Sequence, residues 1–146
     1  MKTPPEGWPR LSTCVFYDDP RRAIDWLGRA FGFEARLVVE GDGGRIEHSE
    51  LTYGEGLVMV GEAARTETPY QQSPARLAGA NTQVACLHVE DVDAHCARSR
   101  AAGARIVREP TTSDYGEDYW SDRTYEAVDP EGHHWYFIQR MRTGRG

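Results

Sequence analysis

His48 and Glu50 stand two residues apart in the stretch Ile46–Tyr53, and on an extended backbone both side chains leave the same face. An imidazole beside a carboxylate can ligate a divalent cation or pass a proton. A second group of the same kind lies near the C-terminus, with Glu126 in Ser121–Val128 and His134 just after the run Asp129-Pro130-Glu131-Gly132-His133. His48, Glu50 and Glu126, with His88 or His134, supply the donor types of a metal site. A carboxylate in a partly dry cavity can also have its pKa raised far enough to serve as a base. The alternative is that these are polar groups on a wet wall, and that His133 and His134 satisfy turn polar groups. Cys14 and Cys86 act either as small hydrophobes or, if close, as a soft-metal or electrophile-reactive pair. Tyr115, Tyr119 and Trp120 interleave with Asp114, Glu117 and Asp118. That composition suits stacking a planar ligand and holding a cation, and equally suits filling a gap or a dimer contact.

The elements that must position these residues come in two similar series. Leu11–Tyr17 reads as a strand, Asp19 caps a helix with Pro20 in its first turn, and Gly32 ends it. Strands are predicted at Glu34–Glu40, Ile46–Tyr53 and Leu57–Gly61, separated by glycine-rich turns. The order then restarts: strand Gln83–Val89, a helix from Asp91 to Ala102 ended by Gly103, and strand Ala104–Arg108. A loop from Glu109 to Trp120 leads to strands at Ser121–Val128 and His133–Gln139. Laying Gly56 on Gly132 aligns the closing hairpins, so a duplicated βαβββ unit is the simplest account. The predicted organisation is a tail at 1–10, a first module at 11–61, a proline-marked linker at 62–81, a second module at 82–140 and a tail at 141–146. With one helix per module, an α+β fold is expected, in which the two modules form a cup-shaped, barrel-like mixed sheet with helices on the outer face.

The composition narrows the function classes. The 146 residues are 39% hydrophobic and 27% charged, enough to bury a core. A net charge of -6, with scattered arginines, offers no basic field for nucleic acid. No apolar run reaches membrane-spanning length and Met1–Arg10 lacks a signal-like stretch, so a cytoplasmic location is expected and no membrane partner. Three cysteines without CxxC spacing argue against disulfides and a structural zinc.

Three segments carry a resemblance over roughly residues 11–139. They are Val15-Phe16-Tyr17-Asp18-Asp19 leading into Ala23–Phe33, Leu87-His88-Val89-Glu90-Asp91-Val92-Asp93-Ala94 followed by Ala101–Ala104, and Asp129-Pro130-Glu131-Gly132-His133-His134-Trp135. In this order the chain resembles the vicinal-oxygen-chelate superfamily of glyoxalases, bleomycin-resistance proteins and extradiol dioxygenases. The resemblance implies a homodimer and, in metal-dependent members, a divalent ion held by His, Glu or Gln on the first and last strands of each half. The corresponding positions here are Ser12, Val60, Val84 and Tyr136, which make a poor ligand set. Alternation puts Cys14, Phe16, His48, Glu50, Thr52, Val58, Cys86, His88, Thr124, Glu126, His134 and Ile138 on the same face as those four.

Two functions follow from the resemblance and these residues. The first is a binding protein that sequesters a small aromatic antibiotic or toxin in the cup, with no cofactor expected. Its ligand-binding residues are Cys14, Phe16, His48, Cys86, His88, Tyr115, Tyr119, Trp120, His134 and Tyr136. The second is a glyoxalase-like lyase or isomerase, or a dioxygenase, in which Glu50 or Glu126 acts as the base beside a hydrogen-bonded intermediate or a divalent metal at a relocated site. A degenerate copy that contributes a dimer surface is a third.

Overall fold

In the computed structural model, which describes residues 1–145, strand β1 (Thr13–Tyr17) runs into helix α1 (Pro20–Phe31). Asp19 starts the helix by accepting the Arg22 N–H at 3.0 Å, and Gly32 ends it at a φ of 87° that a side chain would resist. Strands β2 (Glu34–Glu40), β3 (Ile46–Tyr53) and β4 (Gly56–Glu62) follow, giving a mixed sheet of order β1-β4-β3-β2. The parallel pair is β1 with β4, and the rest are antiparallel.

The second unit repeats the plan with β5 (Ala85–His88), α2 (Val92–Ala101), β6 (Arg105–Asp114), β7 (Ser121–Val128) and β8 (His134–Arg142). Asp91 caps α2 through the Ala94 N–H at 3.0 Å, and the sheet order is β5-β8-β7-β6. The α+β class and the two βαβββ modules are therefore as expected.

Several boundaries differ from the sequence reading. The first compact unit extends to Leu77 and the second begins at Ala78, so most of the expected linker 62–81 packs with the first module. Ala63 donates its N–H to Tyr17 O at 2.8 Å, and Ser73 and Pro74 are buried. Strand β6 continues through Pro110 into residues expected to be loop. It is an edge strand, and its register shifts between Arg108 and Thr111, where a residue without an N–H costs no ladder bond. Strand β8 reaches Arg142, shortening the expected tail 141–146, whose Gly146 lies outside the described residues.

In each sheet only one face is buried under a helix. In the first unit Val15, Tyr17, Leu51, Val58 and Val60 meet Trp26, Leu27, Ala30 and Phe31 in the core, and Trp26 sits edge-on to Phe31 at 5.0 Å. Ser49 sits fully buried in this layer, donating to Val60 O at 2.7 Å and accepting from Val60 N at 2.9 Å.

In the second unit Tyr125, Ala127, Trp135 and Phe137 take the core positions, with Tyr125 stacked on Phe137 at 4.8 Å. Helix α2 contributes His95 and Ser99, whose Nδ1 and Oγ lie 2.5 and 2.7 Å from the Tyr125 hydroxyl. The last hairpin is fixed by Asp129. Its Oδ1 accepts from the N–H groups of Glu131 and His133 at 3.1 and 3.0 Å, and its Oδ2 accepts from the Trp135 indole at 3.0 Å. Asp129→Ala removes all three bonds at a buried site. It is expected to lower unfolding stability by about 2–4 kcal/mol, read as a lower urea midpoint at an unchanged slope.

Candidate functional site

The faces turned away from the helices carry the candidate chemistry. In the first unit β1 pairs with β4 as Cys14 to Met59, Val15 to Val60 and Phe16 to Gly61. Leu51 pairs with Val58 across β3 and β4. Partners across a ladder share a face, so Cys14, Phe16, Met59, Gly61, His48 and Glu50 lie on the open face. Val60 does not. Alternation expects it and Val58 among the open positions, yet they are 1% and 6% exposed and belong to the core. The cause is a difference in turn length. Tyr53 pairs with Gly56 across a two-residue turn, whereas Val128 pairs with His134 across five residues. Aligning glycine on glycine therefore shifts β4 by one residue and turns every side chain over. The residue equivalent to Tyr136 is Met59, since each lies opposite a cysteine of the neighbouring strand.

In the second unit the expected alternation is found. Cys86 pairs with Tyr136, His88 with Ile138 and Glu126 with Tyr136, all on the open face, with His134 beside them. Ser12 and Val84 lie just before β1 and β5, and Val84 is exposed. Tyr115, Tyr119 and Trp120 stand exposed at the tip of the β6–β7 hairpin, with the Tyr115 and Tyr119 rings 6.0 and 6.1 Å from the Trp120 ring, centroid to centroid. Two of the three acids expected to hold a cation there pair with arginines, Asp114 with Arg142 at 2.7 Å and Glu117 with Arg145 at 3.6 Å. A recess of about 640 Å³ beside them is lined by these ion pairs, Gly116 and Thr143, with no aromatic floor.

Each open face forms a histidine–carboxylate pair. His134 Nδ1 lies 3.0 Å from Glu126 Oε1, with Arg108 stacked 4.5 Å over the neighbouring Tyr136 ring. His48 Nε2 lies 2.9 Å from Glu50 Oε1, and Arg36 Nε donates to Glu50 Oε2 at 2.6 Å. Arg36 is itself held by Gly7 O and lies over the Trp8 ring at 5.1 Å. The His48 hydrogen bond and then that of Arg36 hold the Glu50 carboxyl below the usual carboxylate range, even though its side chain is only 10% exposed. This corrects the expectation of a raised pKa. Glu50 stays ionised and is a weak proton acceptor at neutral pH. Partial burial instead raises the Cys14 thiol, which keeps it a poor nucleophile.

Within the first unit the donors do not suit a hard divalent ion. Met59 offers a thioether, Gly61 offers nothing, and both oxygens of Glu50 are taken. Among the described residues no group of three or more His, Cys, Asp or Glu side chains gathers as a cation site.

A recess of about 250 Å³ opens in the first unit. It is lined by Cys14, Phe16, His48, Met59 and Gly61 of the open face, by Glu47, Ser49, Val60 and Glu62 of β3 and β4, and by Arg65, Glu67, Thr68 and Gln71 of the segment that follows. Gly61 leaves room for the Phe16 ring. A Cβ on it would come within 3.1 Å of the Phe16 ring, so the glycine lets the ring lie against the strand. Arg65 fixes the loop to the sheet, donating to Ile46 O at 2.8 Å and pairing with Glu47 and Glu62 at 3.3 and 3.4 Å. Thr68 Oγ1 is buried with no hydrogen-bond partner, at a cost of about 1–3 kcal/mol. The sequence reading missed Met59 and Gly61 through the shifted strand. It missed Arg65, Glu67, Thr68 and Gln71 because prolines and polarity made their segment read as a linker.

Two βαβββ units, each leaving one sheet face open, define the paired-module architecture of small-molecule-binding proteins and metal-dependent enzymes that the resemblance implied. The chain belongs to the Glyoxalase/Bleomycin resistance protein/Dioxygenase superfamily, whose profile matches residues 10–137. It is 35% identical to TioX from Micromonospora sp. ML1, with a TM-score of 0.68 over 91% of this chain and 100% of that one. It is similar in fold to TnmS3, an antibiotic binding protein from Streptomyces sp. CB03234, at 19% identity and a TM-score of 0.65, covering 90% and 96% of the two chains. It is also 31% identical over 139 residues to protein Mb0911c of Mycobacterium bovis (strain ATCC BAA-935 / AF2122/97), covering 92% of this chain and 85% of that protein.

The Glu50 ion pair gives the fold an acid-sensitive component. A carboxyl depressed in the folded state stabilises it fully above the unfolded value of about 4.3, and that contribution drains away as pH falls through the folded value. Glu50→Gln is expected to lower the urea midpoint at pH 7, with the gap to wild type closing on acidification. A gap independent of pH would contradict the assignment.

Proposed function

We propose that this protein binds a small, planar aromatic molecule non-covalently in the recess of its first unit, without the divalent ion used by metal-dependent relatives. By mass action it would thereby sequester an antibiotic or toxin. The observation that carries the reading is the Phe16 ring laid against Gly61, with Met59 beside it, in a recess of about 250 Å³. An aromatic face and a polarisable thioether make a floor for a flat ring, and the polar walls orient it. The antibiotic-binding relative TnmS3 supports the class of ligand, and the substantial identity to TioX keeps this chain near proteins of that fold. The ionised, arginine-paired Glu50 favours binding over the lyase or isomerase alternative, which needs a carboxylate able to take a proton.

Assembly as a homodimer and a cytoplasmic location belong to the same reading. No helix among the described residues is long and apolar enough to cross a membrane.

The test is a fluorescence titration of EDTA-dialysed protein with the planar aromatic dye proflavine. Saturable binding at one site per chain is expected, unchanged by added zinc, manganese or nickel, and weakened about tenfold or more by Phe16→Ala. Binding that appears only with metal, or that Phe16→Ala leaves intact, would contradict the proposal.

A further inference from the structure

The walls of the recess carry charge that its aromatic floor does not explain. Three carboxylates line it, those of Glu47, Glu62 and Glu67, against the single guanidinium of Arg65. That guanidinium is committed within the protein. Its Nη2 donates to Ile46 O at 2.8 Å, its Nη1 faces Glu47 at 3.3 Å and its Nε faces Glu62 at 3.4 Å. Each of its nitrogens already has a partner, and its charge is shared between two carboxylates. Glu62 is balanced from outside the recess, where Arg45 donates to its Oε2 through Nε and Nη2 at 3.0 and 2.7 Å. Two carboxylates remain for a ligand. Glu47 keeps its one contact to Arg65 and is 43% exposed, and Glu67 has no hydrogen bond or ion pair among the described residues. His48, the other basic side chain of the lining, faces the Glu50 carboxylate through Nε2 at 2.9 Å, so any charge on it lies against an anion.

Resting on the reading of the recess as an aromatic-binding site, we infer that its ligand is a planar aromatic cation, a ring bearing an amidinium or a protonated ring nitrogen, and that Glu47 and Glu67 set this preference. The floor favours the same sign of charge. The face of the Phe16 ring, laid against Gly61, is the negative part of an aromatic quadrupole and attracts a cation placed over it. An anion entering the recess meets Glu47 and Glu67 with no uncommitted arginine in the lining to offset them. Both carboxylates reach solvent, so their attraction is modest and weakened by salt, and it selects among flat rings rather than holding one by itself.

The probes are 9-aminoacridine, acridine and acridine-9-carboxylate, which share one ring system and at neutral pH are a cation, a neutral molecule and an anion. Calorimetry in low salt is expected to rank them in that order, with the cation bound about fivefold or more tighter than acridine. Added sodium chloride is expected to narrow the gap. The double variant Glu47→Gln, Glu67→Gln is expected to draw the affinity for the cation down toward that for acridine. Should the double variant fail to fold, Glu67→Gln alone, at an exposed side chain, is expected to lower the preference. Equal affinity of the wild-type protein for the three probes, or tighter binding of the anion, would overturn this inference while leaving the aromatic-binding reading in place. A preference for the cation that survives both substitutions would overturn the roles given to Glu47 and Glu67. Failure of all three probes to bind would overturn both readings.

Discussion

One helix per four-stranded sheet is the constraint on which the rest depends. A helix can bury only one face of its sheet, and strand alternation then divides every residue between a packed side and an open one. In the first unit the packed side takes Val15, Tyr17, Leu51, Val58 and Val60, and Ser49 is admitted only because both bonds of its hydroxyl are met by Val60. What remains for the open side is Cys14, Phe16, His48, Glu50, Met59 and Gly61. The recess is a consequence of that division, closed at one end by a loop that Arg65 ties to Ile46 O.

The duplication repeats the geometry more faithfully than the chemistry. Each open face holds a carboxylate next to a histidine, Glu50 with His48 and Glu126 with His134. Only Glu50 has an arginine directly on it, and that arginine is tied to the N-terminal segment through Gly7 O and Trp8. In the second unit Arg108 instead covers the Tyr136 ring. The first face thereby sets a histidine and an arginine-held carboxylate beside an aromatic ring, and the second a cation laid over a phenol. A duplicated fold can diverge in this way because single side chains on an open face change chemistry without touching the core.

Most of the fold was legible because local signals and burial agreed. Asp19, Gly32 and Asp91 act at the helix ends as their types predict, and strands β2, β3 and β7 fall where alternation places them. The failures have specific causes. A hairpin turn shorter in one half than in the other was invisible to an alignment of glycines, and it moved Val60 from the open face into the core. Pro110 suggested a loop, yet an edge strand with a shifted register accommodates it. The segment after β4 has turn-forming residues and no periodicity, so its packing against the first unit depends on contacts that sequence spacing does not encode. The chemistry of Glu50 was hidden for a similar reason. Burial alone argues for a raised pKa, and only the positions of Arg36 and His48 reverse it.

The central claim is that the recess of the first unit is where a flat aromatic molecule binds. The most direct measurement is a proton–nitrogen correlation spectrum of isotopically labelled protein during a titration with such a molecule. The account predicts that the largest shifts fall on Cys14, Phe16, His48, Met59, Gly61 and the loop from Arg65 to Gln71. Shifts confined to the β6–β7 hairpin around Tyr115, Tyr119 and Trp120, with the recess amides unmoved, would contradict it.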